Sequence, residues 1–356
     1  MYAVILAGGK GTRFWPYSRE ERPKQFLEIL GDESMLRVTY NRLTDFIDQD
    51  RIFLLTVADQ LPLVQEELPE LRRDRIFAEP VGRNTAPSLA VAAELVKKAG
   101  GDSPFLCCPS DHLIKDEASF RELVTAAFQA ASESDVMITF GVRPTRPATG
   151  YGYIEAGGEV RVCDGHKFYQ VMKFHEKPGR EKAETYCSNP EFYWNSGIFM
   201  WRPSVFLSAW AKFLDEGIGP LSRIAGSLGG SEEQSTIESE YPSMPEISVD
   251  YGILEKAGNV IVAPAEFGWD DVGSWDALFD ILPVDQRGNV SDGDVELIDS
   301  SGNLFYNRNG LTAAVGVSDT IVVVDDGIVL VCKRGQSQRV RELLESMRSK
   351  GIDKVL

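Results

Sequence analysis

The first half of the chain alternates apolar runs with amphipathic stretches, and this alternation constrains the fold more than any other feature. Tyr2–Ala7, Ile52–Val57, Phe105–Cys108 and Val136–Val142 are apolar almost throughout. A strand with one wetted face would alternate, so runs of this kind predict strands covered on both faces. Between them, "NTAPSLAVAAELVKKAG" offers Asn84 or Thr85 as a helix cap, Pro87 near the first turn and a stop at Gly100. "DEASFRELVTAAFQAASES" sets Phe120, Leu123, Val124, Ala127, Phe128 and Ala131 on one helical face. The expected class is α/β, a Rossmann-like domain with a mostly parallel mixed sheet between helices. In such sheets ligands sit beyond the carboxyl ends of the strands.

From Gly141 the pattern loosens into glycine- and aromatic-rich stretches such as "TGYGYIEAGGEV" and "FYWNSGIFMW", as in an elaborated substrate half. Pro, Gly, Asp and Asn gather between Pro283 and Asp294, where a boundary is expected. The predicted domains are 1–285, carrying the chemistry, and 286–356, short β runs closed by an amphipathic helix in "SQRVRELLESMRSKG". Every motif discussed below lies in the first, so the second is expected to serve assembly, as a homodimer, more than chemistry.

Composition excludes several classes of function. With 37 Lys+Arg against 54 Asp+Glu the net charge is -17, which argues against nucleic acid as a partner. Any phosphate ligand must be met by locally concentrated cations or a metal. Five cysteines without a CxxC pair form no disulfide framework, and Cys107 and Cys108 read as packed thiols. No run reaches the ~18 residues of a membrane span. The opening apolar stretch lacks the basic leader and length of a signal peptide, so a cytoplasmic protein is expected. Three histidines make a multi-histidine metal site implausible, which leaves oxygen ligands.

The first strand runs directly into "AGGKGTRFWPYSREERPKQF". Glycines at a strand end let backbone N–H groups approach phosphate oxygens without Cβ interference. The spacing is neither GxxxxGK[ST] nor GxGxxG, because the third glycine position of the latter holds Phe14. Arg13 and Lys24 place two cations on a loop stiffened by Pro16 and Pro23, an arrangement that suits a nucleotide triphosphate.

This string resembles the signature of the nucleotide-sugar pyrophosphorylases, in the form found in mannose-1-phosphate guanylyltransferases. The resemblance continues through "EPVGRNTAP", "PSDH", "TGYGYI", "FHEKP", "WNSGIFMW", "SVDYGILEK" and "WDDVGSW", in order over the first ~280 residues. It implies a small left-handed β-helix-like end for the second domain. The sequence ends at Leu356, short of the fused isomerase domain of longer members.

What the resemblance implies is attack by the phosphate of α-D-mannose 1-phosphate on the α-phosphorus of GTP, giving GDP-mannose and pyrophosphate. Mg²⁺ or another divalent cation assists, held by Asp111 and Asp271, with Asp270 the ambiguous neighbour. Arg13, Lys24, Asp111 and Asp271 form the implied catalytic set. Nucleotide contacts are implied for Leu6, Ala7, Gly8, Gly9, Gly11, Thr12, Arg13, Lys24, Glu79, Arg83, Asn84, Thr85 and Ser110. Within that set, Glu79 would accept from guanine N1 and N2, a pattern adenine lacks. Gly150, Tyr151, Gly152, Glu176, Lys177, Asn195 and Asp250 would hold the sugar phosphate. His112, His175 and Trp194 are read as packing or hydrogen-bonding residues. The alternatives are a sugar-1-phosphate nucleotidyltransferase for another sugar or base, and a silent nucleotide-sugar sensor. The sensor would be expected to lack Lys24, Asp111 or Asp271.

Overall fold

A computed structural model describes residues 1–9 and 11–352. The chain divides into two compact units that do not follow chain order. One comprises Met1–Gly8 and Tyr40–Trp269, the other Gly9–Thr39 and Asp270–Leu356. The glycine-rich loop beyond Gly8 thus groups with the C-terminal segment. The last four residues of the predicted second domain, 353–356, lie outside the described residues.

The first unit is built on a nine-stranded sheet. Its strands are β1 (Tyr2–Leu6), β2 (Ile52–Val57), β3 (Ile76–Glu79), β4 (Phe105–Pro109), β6 (Met137–Val142), β7 (Tyr153–Cys163), β8 (His166–His175), β9 (Phe192–Trp201) and β10 (Val260–Ala265), with β5 (Leu113–Ile114) apart. The order is β3-β2-β1-β4-β9-β6-β10-β8-β7. The strands β3, β2, β1 and β4 are mutually parallel, as the unbroken apolar runs require, whereas β9 enters antiparallel between β4 and β6. Helices α2 (Leu61–Glu67), α3 (Thr85–Gly100), α4 (Glu117–Glu133), α5 (Arg180–Ser188), α6 (Pro203–Phe213), α7 (Ile218–Ser227) and α8 (Glu233–Glu240) belong to this unit, and α1 (Met35–Thr44) begins just before it. Small residues let α3 lie close to the sheet: Ala86, Ala90, Ala92 and Ala93 are all buried, together with Leu89 and Val91. On α4, Phe120, Leu123, Val124, Ala127 and Ala131 are buried as the periodicity predicts, while Phe128 is only half-buried. Cys107 and Cys108 pack inside the sheet.

The two-residue strand β11 (Trp269–Asp270) spans the point where the chain passes from one unit to the other, and the second unit holds α9 (Leu278–Ile281), a four-stranded sheet and α10 (Val340–Ser349). The sheet runs β12 (Val290–Ile298), β13 (Leu304–Val315), β14 (Thr320–Asp325) and β15 (Ile328–Lys333), parallel until β15 turns back antiparallel. Ile321, Val323 and Leu330 are buried, whereas Val329 and Val331 face outward. Rings form the core beneath the loop. Phe14 meets Trp275 at 4.9 Å, Trp275 meets Tyr306 at 4.9 Å, and Trp275 Nε1 donates to the Trp15 carbonyl at 3.1 Å.

Candidate active site

In the first unit, the end of β1 is tied to its neighbours on both sides. Ala7 N donates to the Leu55 carbonyl at 2.8 Å, and Ser110 N donates to the Leu6 carbonyl at 3.0 Å. Leu6, Ala7 and Gly8 therefore end beside Ser110 and Asp111, which follow β4. Such carboxyl ends of adjacent parallel strands are where this class of sheet binds ligands. Asp111 keeps 30% side-chain exposure and has His112 Nε2 at 3.9 Å, while His112 Nδ1 accepts from Trp269 Nε1 at 3.1 Å. That bond gives His112 the packing and hydrogen-bonding role expected of it.

Glu79 ends β3 and is buried. Ser88 Oγ donates to its Oε1 at 2.6 Å, and the Tyr241 hydroxyl lies 3.4 Å from Ser88 Oγ. Burial pushes the Glu79 carboxyl above the usual range, against hydrogen bonds from Ser88, Tyr241 and the Arg83 backbone. Sequence reasoning missed Ser88 and Tyr241. A serine one turn into a capped helix carries a faint signal, and a tyrosine 162 residues from Glu79 carries none. Asn84 caps α3 by accepting from Thr85 N at 2.9 Å, and does so with φ 68, a conformation few side chains adopt. Thr85 Oγ1 accepts from Val249 N at 2.9 Å. Arg83 turns to the Pro242 carbonyl and to Glu246, 3.5 Å away.

The sugar-phosphate candidates converge in the same unit. Asn195 N donates to the Gly152 carbonyl at 2.9 Å, and Asn195 Nδ2 donates to Asp250 Oδ1 at 2.7 Å. Asn195 Oδ1 accepts from Thr139 Oγ1 at 3.0 Å, which sets the amide's orientation. Glu176 reaches the space beside Gly152, where a Cβ would fall 2.5 Å from its Oε2, so any larger residue there would push the carboxylate aside. Lys177, at φ 44, ion-pairs with Glu176. The Tyr151 ring lies edge-on to Trp194 at 5.1 Å, and Gly150 is exposed beside it. Desolvation and the nearby Glu176 charge push the Asp250 carboxyl up to about 6. His175 bonds Glu155 and Tyr186, and Trp194 is buried, as expected of packing residues.

In the second unit, Gly11 takes φ 55 and lies against Lys24, whose backbone nitrogen would be 2.6 Å from a Cβ at that position. The side chain of Lys24 is buried, and its Nζ donates to the Asp271 carbonyl oxygen at 2.6 Å. Gln25 Nε2 donates to the Gly9 carbonyl at 2.9 Å. Gln25, also missed from the sequence, thus pins the other glycine of the turn. Thr12 and Arg13 begin the short helical turn after Gly11, and Arg13 Nη1 donates to Gln338 Oε1 at 3.2 Å. Asp270 is buried, and its Oδ1 accepts from Val272 N at 2.7 Å. Val272 has φ 45, an outlier for a β-branched residue that Asp270 helps hold. Asp271 keeps partial exposure. Among the described residues no three His, Cys, Asp or Glu side chains form a ready metal cage. Mg²⁺ asks for less, one or two carboxylates with substrate phosphates and water.

A Rossmann-like sheet, a glycine-rich loop after its first strand and a small, mostly parallel β segment later in the chain define a sugar nucleotidyltransferase. Comparison with known proteins agrees. The model of the nucleotidyl transferase family matches residues 2–287, and that of the MannoseP isomerase/GMP-like beta-helix domain matches 293–347. The chain is 39% identical over 349 residues to the mannose-1-phosphate guanylyltransferase of Klebsiella pneumoniae, covering 97% of this chain and 73% of that one. It is 40% identical to the xanthan biosynthesis protein XanB of Xanthomonas campestris pv. campestris (strain B100), covering 98% and 73%. A crystal structure described as a mannose-1-phosphate geranyltransferase from Thermus thermophilus superposes with TM-score 0.88 at 33% identity, covering 98% and 99%. The chain belongs to the nucleotidyl transferase family and, within it, to the mannose-1-phosphate guanylyltransferases.

Proposed function

We propose that the chain transfers GMP from GTP to α-D-mannose 1-phosphate, releasing pyrophosphate and GDP-mannose. The observation that carries this reading is the convergence of Gly152, Glu176, Lys177, Asn195 and Asp250. Strands and loops up to 98 residues apart in sequence supply one glycine-floored cluster of carboxylates, amide and cation. That inventory suits a polyhydroxylated phosphate: acceptors and donors for hydroxyls, and Lys177 for the phosphate. The nucleophile is already anionic at neutral pH, so positioning and charge neutralisation carry the rate. Arg13 and Lys24 neutralise the triphosphate, Lys24 doing so from a buried, backbone-anchored position. Backbone groups of Leu6, Ala7, Gly8, Gly9, Gly11 and Thr12, with Asn84, Thr85, Arg83 and Ser110, hold the nucleotide, and Glu79 reads guanine.

Asp111 and Asp271 are the proposed holders of a divalent cation. Their partly exposed carboxylates are hard oxygen donors of the kind Mg²⁺ prefers. Bound there, the cation supplies charge neutralisation to phosphate oxygens. The strongly negative net charge fits small-molecule substrates and no nucleic acid, and among the described residues no helix is long and apolar enough to cross a membrane. Cytoplasmic residence and a homodimer complete the proposal. Exposed Leu311, Val315, Val329 and Val331 on the C-terminal sheet support the latter.

The test is pyrophosphate release over a matrix of nucleoside triphosphates and sugar 1-phosphates. Turnover should peak with GTP and mannose 1-phosphate together. A peak at another base or sugar would move the chain to that specificity.

A further inference from the structure

The segment "RRDRIF" leads into β3 and opens a cavity of about 780 Å³ in the first unit. Its floor is apolar, formed by Ile76, Phe77 and Leu95, and its rim carries Arg72, Arg73 and Arg75. Three arginines on one rim are unusual in a chain of net charge -17. Arg72 is neutralised by Asp74 at 2.8 Å and Asp50 at 3.6 Å. The remaining acid on the rim, Glu233, accepts from the Gly229 backbone N–H. Arg73 donates one N–H to the Ile76 carbonyl at 2.6 Å. Among the described residues neither Arg73 nor Arg75 has a carboxylate within ion-pair distance. Arg75 lies over the Phe53 ring at 4.9 Å, and its Nε is buried without a hydrogen-bond partner. A buried guanidinium donor left unpaired is costly, and an oxyanion is the partner that guanidinium geometry fits best.

We propose that this cavity is an effector site for a small phosphorylated ring compound, with the phosphate on Arg73 and Arg75 and the ring on Phe77 and Leu95. A volume of this size admits a nucleotide-sized ligand. Two elements leave the cavity toward the guanine-reading cluster. β3 runs from Ile76 to Glu79, ~10 Å at strand rise. α8 starts with Glu233 at the cavity and leads to Tyr241, whose ring is 5.9 Å from that of Phe77. A ligand packed against Phe77 thus bears on both Glu79 and Tyr241, so occupancy is read as a change in GTP binding. This effector role rests on the GTP reading above.

The test uses ADP as probe and adenosine as the uncharged control, titrated calorimetrically into the full chain saturated with GTP. ADP should bind and adenosine should not. Binding should weaken at least tenfold in Arg75→Gln, in Arg73→Gln and in Leu95→Trp, the last of which fills the floor and leaves the charges in place. ADP should shift KM for GTP at least threefold in the parent chain and leave it unmoved in Leu95→Trp. Absence of ADP binding, equal binding in all variants, or an equal KM shift in parent and Leu95→Trp would overturn the site. The same holds for binding without any KM shift. Absence of turnover with every nucleotide would instead refute the transferase reading, since the heat of ADP binding decides the cavity independently.

Discussion

Lys24 Nζ donates to the backbone carbonyl of Asp271 at 2.6 Å, so the buried cation of the glycine-rich loop also anchors the backbone of the second aspartate in "WDDVG". The adjacent Asp270 turns its carboxylate inward to Val272 N. The two aspartates are thus separated by role. Asp271→Asn should cut turnover at least ~100-fold, about 2.7 kcal/mol of barrier, with the fold intact. Asp111→Asn should do the same, and the double variant should be little worse than the poorer single one. Asp270→Asn still offers an oxygen to Val272 N and should keep most activity. Asp270→Ala should instead lower stability by about 1–3 kcal/mol. Turnover and thermal melts of the five variants decide this, and an inactive Asp270→Asn beside an active Asp271→Asn would reverse the assignment.

The two loop glycines make an internal contrast. Gly11 has φ 55 and no room for a Cβ against Lys24, whereas nothing lies within 4 Å of a Cβ on Gly9. Gly11→Ala should displace Lys24 and lower both stability and kcat/KM. Gly9→Ala should melt like the parent and lose only nucleotide affinity, because the added methyl meets phosphate rather than protein. Equal melting of both variants would show that the close approach at Gly11 is not a constraint.

Those glycines were legible in the sequence because a motif records a local backbone need. The sheet and α3 were legible too, since unbroken apolar runs, a cap at Asn84 and a glycine stop are local signals. What stayed hidden is long-range. Nothing near Glu79 announces Tyr241, and nothing in "PKQF" announces that Gln25 holds Gly9. Phe14 and Trp275 are apolar by identity, but nothing in the sequence shows that they meet. That meeting groups the loop with the C-terminal segment in one compact unit, a grouping that chain order does not display. The left-handed Val272 runs against the propensity of a β-branched residue and was not readable at all.

Asp250 should couple stability to pH. Its carboxyl is raised to about 6 in the folded chain from an ordinary 3.8. Above pH ~6 it is ionised in both states, and the folded state bears the full desolvation cost. As pH falls from ~6 toward ~4 the folded state takes up the proton first, so that cost disappears. Asp250→Asn should therefore melt higher than the parent at a pH of about 7.5, with the advantage shrinking to nothing near pH ~4. Mannose 1-phosphate affinity should fall in the same variant. A melting difference independent of pH would mean that Asp250 is not held in the desolvated state described.

Guanine preference should depend on the buried Glu79 and on the groups that orient it. Glu79→Gln replaces one acceptor oxygen with a donor facing guanine N1–H or N2–H₂. Loss of such a paired group costs about 1–3 kcal/mol, so GTP over ATP discrimination should fall about fivefold or more. Ser88→Ala should act in the same direction more weakly, with KM for GTP rising and kcat held, and Ser88→Thr should restore part of it. Discrimination unchanged in Glu79→Gln would send base reading to another residue.

The C-terminal segment should be needed for chemistry as well as assembly. Tyr306 Oη donates to the Glu28 carbonyl at 3.2 Å, and Arg308 Nη2 donates to the same oxygen at 2.7 Å. Arg19 pairs with Asp325 at 3.4 Å, Arg348 with Glu20 at 2.6 Å, and Arg13 with Gln338. All these ties reach the stretch between Gly9 and Thr39 that carries Arg13 and Lys24. The exposed Arg348–Glu20 and Arg13–Gln338 pairs each contribute little, but Tyr306 is fully buried against Trp275, and truncating a core aromatic costs about 3–5 kcal/mol. A chain cut after Asp285 would keep Trp275 and lose Tyr306, Asp325, Gln338 and Arg348 together. It should lose turnover and show rapid proteolysis within residues 9–39, while the sheet of the first unit stays protected. Gln338→Ala separates chemistry from folding: the melt should stay within about 1 kcal/mol of the parent, with kcat/KM for GTP lowered through a looser Arg13. Should a soluble 1–285 chain turn over like the parent with the loop still protected, the segment would serve assembly alone.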